Sequence, residues 1–167
     1  MARAKPQRTP LTADERDGVV LAVKSVFRKL KNLYDKVVPI FNSYGFEPQS
    51  AGVIARDFSE KVEAEIIRHC NTFKKGDGHC DLSRLGCDWE VKVCKGSGMT
   101  INQSKVINGE NYIVVNYTAD SQIKRIWILW QAKDGFFSSI RKNSNARTLN
   151  REASADHVEM IFEPPKP

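Results

Sequence analysis

Apolar residues recur along the first part of the chain at the spacing of a helix. Val19, Val23, Val26, Leu30, Leu33 and Val37 follow one another at intervals of three or four, which lines one face of an α-helix. Thr12 and Glu15 supply a capping box at its start, and Pro39 is where the helical pattern is predicted to stop. Past the polar turn "NSYGFEPQS", Ile54, Phe58, Val62, Ile66 and Cys70 recur every four residues and predict a second helix. Glu60, Lys61 and Arg68 fall on its other side. After "KKGDGH" the period changes to alternation, which predicts two short strands, roughly 80–84 and 87–94, joined by a tight turn. "YIVVNYT" (112–118) and "KRIWILWQ" (124–131) are almost continuously apolar and read as a strand pair in a sheet covered on both faces. Between them and the hairpin, "MTINQSKVINGEN" fits either a short helix or a strand. The polar, basic stretch that begins at Asp134 leads to a last strand-like run, "HVEMIF", and to the tail "EPPKP". Residues 1–10 read as a flexible basic arm, 11–163 as one domain and 164–167 as a Pro-rich tail.

The hairpin carries the chemistry. In "DWEVKVC" (88–94), Trp89, Val91 and Val93 alternate with Asp88, Glu90 and Lys92, so one face of the strand is apolar and the other charged. Chance alone supplies about one Glu-x-Lys in a chain of this composition. The weight therefore comes from context: Asp81 lies on the preceding short strand, and the turn "RLG" would fold it back towards Glu90. Two carboxylates offer hard oxygen ligands to Mg²⁺, which keeps several waters and also takes a phosphate oxygen. Lys92, on the same face as Glu90, would position or help deprotonate an attacking water. Its charge would also keep the carboxylates ionised as ligands.

"HCDLSRLGCDWEVKV" resembles the core of the PD-(D/E)XK nuclease superfamily, in which an aspartate at a β-hairpin is followed on the next strand by Glu-x-Lys. The resemblance covers roughly residues 51–131, and Cys80 stands where the family name has proline. It implies an α/β restriction-endonuclease-like core, with a central mixed β-sheet flanked by helices, here with an N-terminal helical extension. It implies a Mg²⁺- or Mn²⁺-dependent endonuclease acting on nucleic acid, DNA foremost, and leaves room for a homodimer that cuts both strands. By the same resemblance Asp81 and Glu90 hold the metal with the Val91 carbonyl, and Lys92 orients the water. Asp88 is the rival to Asp81. A glutamate from the preceding helix commonly joins such sites. Helical phase favours Glu63 or Glu65 over Glu60, and Glu63 is the choice. Gln103 matches a glutamine that many members carry after the motif strand.

Composition changes this picture little. A formal charge of +6 and a sequence pI near 9.2 favour an anionic partner, nucleic acid first. Arg141, Lys142, Arg147 and Arg151, interleaved with Asn and Ser, are candidates for phosphate contact, with a solvated loop as the alternative. No apolar run is long enough to cross a bilayer, and the N-terminus lacks the apolar stretch of a secretory signal, so the cytoplasm is the expected location. Cys70, Cys80, Cys87 and Cys94 are expected as reduced thiols. Together with His69 and His79 they also raise a zinc-stabilised interaction protein as a rival, although no Cys-x-x-Cys pair is present. A further rival is a catalytically silent nucleic-acid-binding module of the same fold. Trp127 and Trp130 are expected in the core, and Phe136 and Phe137 as exposed wedges.

Overall fold

Thr12 starts the first helix in the manner its sequence predicts: its hydroxyl accepts from the Glu15 N–H at 3.2 Å, and the Glu15 carboxylate accepts from the Thr12 N–H at 2.7 Å. A computed structural model describes residues 9–45, 58–78, 80–102, 104, 105, 107, 109–118, 121–139 and 145–165. Helix α1 spans Ala13–Ser43 and α2 spans Phe58–His69. The predicted stop at Pro39 is not observed, because α1 runs through it for four more residues. That last stretch is largely exposed, where water can satisfy the carbonyl that proline leaves without its N–H partner. The apolar stripe of α1 is buried from Val19 to Leu30, whereas Leu33 lies at the surface.

Eight strands follow: β1 (Lys74–Lys75), β2 (Leu82–Arg84), β3 (Cys87–Lys95), β4 (Thr100–Asn102), β5 (Asn111–Tyr117), β6 (Ile123–Leu129), β7 (Ala146–Thr148) and β8 (Val158–Phe162). Six of them form a mixed sheet in the order β1-β2-β3-β5-β6-β8, in which β3 and β5 run parallel and every other neighbouring pair is antiparallel. Strands β4 and β7 make a separate antiparallel pair. The stretch that the sequence left between helix and strand thus begins as a strand. The molecule is α/β, with a mixed central sheet and two helices.

Two apolar clusters lie against this sheet, one on each face. On the helix side, Trp89, Val91, Ile113, Val115, Ile126, Ile128 and Trp130 pack with Val19, Val23, Phe27, Phe58, Val62 and Ile66. On the other side, Tyr112, Val114, Trp127 and Leu129 pack with Met99, Ile101, Phe136 and Phe137. All seven residues of β5 are buried, as expected of a strand covered on both faces. Trp127 and Trp130 are core residues. Phe136 and Phe137 are not exposed wedges: a 3-10 turn over Asp134–Phe136 folds them under the β4–β7 pair, where each is about nine-tenths or more buried.

Arg84 locks the start of α1 to the hairpin. Its guanidinium meets the Glu15 carboxylate through two 2.7 Å bonds and donates to the Thr9 and Pro10 carbonyls. Thr72 completes the cluster by donating to Glu15 at 2.5 Å. Burial alone would raise the Glu15 carboxyl, but the bonds from Arg84, Thr72 and Thr12 bring it down to about 2.

Candidate active site

The turn between β2 and β3 consists of Leu85 and Gly86, both with positive φ, at 51° and 74°. That geometry suits the right-handed twist of a two-residue hairpin, and glycine adopts it without strain. The register sets Leu82 opposite Trp89 and Ser83 opposite Asp88, so the chain entering β2 runs beside Glu90 and Val91. There Asp81 Oδ2 accepts a hydrogen bond from the Val91 N–H at 2.8 Å. Trp89 and Val91 point to the helix-side core, while Glu90 and Lys92 take the opposite face beside Tyr112 and Val114, their partners on β5. The alternation in "DWEVKVC" is thus a strand anchored on one side and charged on the other.

Glu90 is buried at 4% exposure and pinned by two ammonium groups. Lys92 Nζ lies 3.2 Å from one carboxylate oxygen, and Lys105 Nζ lies 2.5 Å from the other. A polar cavity of about 400 Å³ opens over this group, lined by Glu63, Lys75, Gly76, Gly78, Cys80, Asp81, Glu90 and Lys105. Gly76 is required for its shape, since a Cβ there would sit 2.0 Å from the Cys80 carbonyl oxygen. Of the three helix glutamates, Glu63 faces the cavity. Glu65 is turned away and held by Lys29, Arg68 and His69, and Glu60 is exposed.

Burial, with the nearby charges of Asp81, Glu60 and Glu90, raises the Glu63 carboxyl to about 7, against the opposing pull of Lys92. Burial likewise raises the Asp81 carboxyl, reinforced by Glu90 and opposed by the Val91 N–H and the two lysines. The Tyr112 hydroxyl is buried and finds no hydrogen-bond partner among the described residues, and burial pushes its ionisation upward. Sequence reasoning missed Lys105, and also the placement of Tyr112, which does not line the cavity but lies beside Glu90. Tyr112 sits one strand away from Glu90 in direct register, a pairing visible only once β3 and β5 are known to be parallel neighbours. Lys105 comes from the segment beyond β4 and carries no local pattern.

The other predicted residues fall elsewhere. Asp88 does not line the cavity and accepts from the Cys80 thiol at 3.7 Å. Arg147 is not free to meet phosphate: it is 5% exposed, its guanidinium pairs with Asp134 at 2.5 Å, and it donates to the Ser138 and Phe137 carbonyls. Strand pairing of β7 with β4 turns it inward. Arg151 is exposed. Gln103, His79, Arg141 and Lys142 lie outside the described residues. The four cysteines are free thiols.

Among the described residues, no three of His, Cys, Asp and Glu converge as a ready-made metal cage. That arrangement does not disfavour Mg²⁺, which is commonly held by one or two carboxylates plus substrate phosphate. The donor set suits it: Asp81, Glu90 and Glu63 are all hard oxygen ligands on one cavity, and burial first, then neighbouring carboxylates, raise the Asp81 and Glu63 carboxyls, the second part being a repulsion that a dication would relieve. No helix among the described residues is long and apolar enough to cross a membrane. No protein-family model matches the chain, and a search of curated proteins returns no match.

Proposed function

We propose that the chain is a Mg²⁺- or Mn²⁺-dependent endonuclease of the restriction-endonuclease-like class, acting on DNA. The observation that carries the reading is Glu90, buried on a strand between Lys92 and Lys105 and sharing a cavity with Asp81 and Glu63. Asp81 and Glu90 would hold the cation, with the Val91 carbonyl and Glu63 as further oxygen donors. Bound there, the cation would neutralise charge developing on the phosphoryl group and lower the pKa of water. Lys92 would orient that water from the Glu90 side, and Lys105 would supply positive charge to the phosphate. Asp81 is positioned for its part by the Val91 N–H, which fixes one carboxylate oxygen and leaves the other to the cavity.

One observation favours a second reading, a nucleic-acid-binding module that does not cut. Both Glu90 oxygens are taken by lysines, an arrangement that is internally neutralised and stable without a cation. A plasmid-nicking assay separates the two. Parent protein that converts supercoiled DNA to open-circular or linear form in Mg²⁺, with Glu90→Ala inactive, supports the nuclease; binding without cleavage supports the module.

A further inference from the structure

A second cavity, of about 320 Å³, lies on the same face of the sheet as Glu90, beyond the C-terminal end of β3. It shares no lining residue with the acidic one. Its floor is apolar, formed by Met99, Trp127, Leu149 and Val158. Its rim carries two guanidinium groups, Arg125 and Arg151, and both donate to one acceptor, the Ser97 carbonyl, the Arg151 bond measuring 2.6 Å.

Arg125 is held in place. Its Nε donates at 3.0 Å to Asn116 Oδ1, which also accepts from Trp127 Nε1 at 2.7 Å. Asn116 is fully buried and its amide donates to the Gly98 carbonyl at 2.8 Å, tying the arginine to the chain segment that carries Ser97. Among the described residues, no carboxylate lies within ion-pair distance of either guanidinium. Glu163 acts on Arg125 at longer range, while burial and Arg151 pull the Arg125 guanidinium down. Each guanidinium has five N–H donors, of which these bonds use only one or two. Two like charges therefore meet on one neutral oxygen with donors to spare, beside an apolar floor. That combination lacks an anion with a flat apolar body, and the cavity volume is at the small end of ligand sites.

We propose that this cavity binds a single nucleotide unit, its phosphate between Arg125 and Arg151 and its base against the accessible apolar side chains of Leu149, Val158 and Met160. Counting four residues along β3 from Glu90 and two strands across, Arg125 lies roughly 16 Å from Glu90, about five stacked nucleotides along one strand. The unit is either a free nucleotide or part of a strand that also reaches the acidic cavity; only the second source rests on the nuclease reading.

The test measures binding of 2′-deoxyadenosine 5′-monophosphate, deoxyadenosine, inorganic phosphate and a labelled single-stranded oligodeoxynucleotide to the full chain. Parent, Arg151→Ala, Arg125→Lys and the charge-matched control Arg28→Ala, on the exposed side of α1, are compared, with circular dichroism confirming the fold of each. Arg151 is exposed, so its truncation leaves the core intact. The expected result is saturable binding of the monophosphate or the oligonucleotide that weakens about tenfold or more in Arg151→Ala, with no weakening in Arg28→Ala. An oligonucleotide at least tenfold tighter than the monophosphate assigns the site to a strand, and its salt slope then falls by about one in Arg151→Ala; equal affinities assign it to a free nucleotide. The proposal is overturned if neither ligand binds, if Arg151→Ala and Arg125→Lys both bind like the parent, if inorganic phosphate binds as tightly as the monophosphate, or if Arg28→Ala weakens binding as much as Arg151→Ala. A parent that binds the monophosphate but cuts no DNA leaves the pocket standing and removes the nuclease alone.

Discussion

Glu63 ionises near neutral pH because burial of its carboxyl, and then the charges of Asp81, Glu60 and Glu90, raise it to about 7. An unfolded chain would lose that proton near 4.5, whereas the folded one keeps it to about 7. Between those values the folded state binds more protons, so stability falls as pH rises from about 4.5 to about 7 and stays lower above it. Glu63→Gln removes this titration. Chemical denaturation should show the variant gaining on the parent between about pH 5 and about pH 8; an unchanged difference would mean that Glu63 carries no shifted proton. Lys105 is the residue that most separates the observed site from the one read off the sequence. Lys105→Ala should reduce the rate of DNA cleavage by about two orders of magnitude and also lower the thermal midpoint, because one oxygen of the buried Glu90 carboxylate loses its ammonium partner; activity of the folded variant within a factor of about two of the parent would place it outside the site. Asp81, Glu90 and Lys92 were legible because hairpin register and strand alternation are local rules. Lys105 was not, since it comes from the segment beyond β4 with no local pattern; nor was Tyr112, set beside Glu90 only by the parallel pairing of β3 with β5.

At the scale of elements, the α1 capping box does more than cap. Glu15 closes the helix start and simultaneously holds Arg84 of β2, in contacts that are 69 residues apart along the chain. Glu15→Ala leaves the Arg84 guanidinium buried without its carboxylate, and such losses cost about 3–5 kcal/mol. Urea denaturation at neutral pH should register that loss. The parent's own stability should decline as pH falls from about 4.5 towards about 2, since the folded Glu15 carboxyl keeps its charge to about 2. Glu15→Gln should flatten that decline, and an equally steep acid profile would contradict the assignment. The capping box itself was legible from "TADE"; its second task was not, because nothing in the sequence announces which arginine it meets. Pro39 misled for a related reason. Local rules treat it as a stop, but at an exposed helix end water can take the place of the missing bond, and α1 continues to Ser43.

For the whole molecule, the sequence supported a covered sheet with helices before it, and the observed α/β arrangement agrees at that level. The sheet order and the parallel pairing of β3 with β5 lay beyond it, because parallel neighbours are set by the connection between them and not by the pattern of either strand. That pairing matters most for chemistry, since it puts Glu90 and Lys92 beside Tyr112 and Val114 and aligns both cavities on one face. Inward-facing Arg147 shows the same limit: a basic run that looks like a phosphate contact is instead the clamp of a two-stranded sheet.

On the proposed function, Glu90 and Lys92 work with a divalent cation to cut DNA. Its most direct test is cleavage of supercoiled plasmid by purified protein in Mg²⁺, in Mn²⁺ and in excess chelator, beside Glu90→Ala and Lys92→Ala variants shown to be folded. The expected result is cation-dependent nicking or linearisation that chelator abolishes and that each variant lowers by about two to three orders of magnitude. No cleavage by the parent in either metal, or cleavage by the variants equal to the parent's, would contradict it.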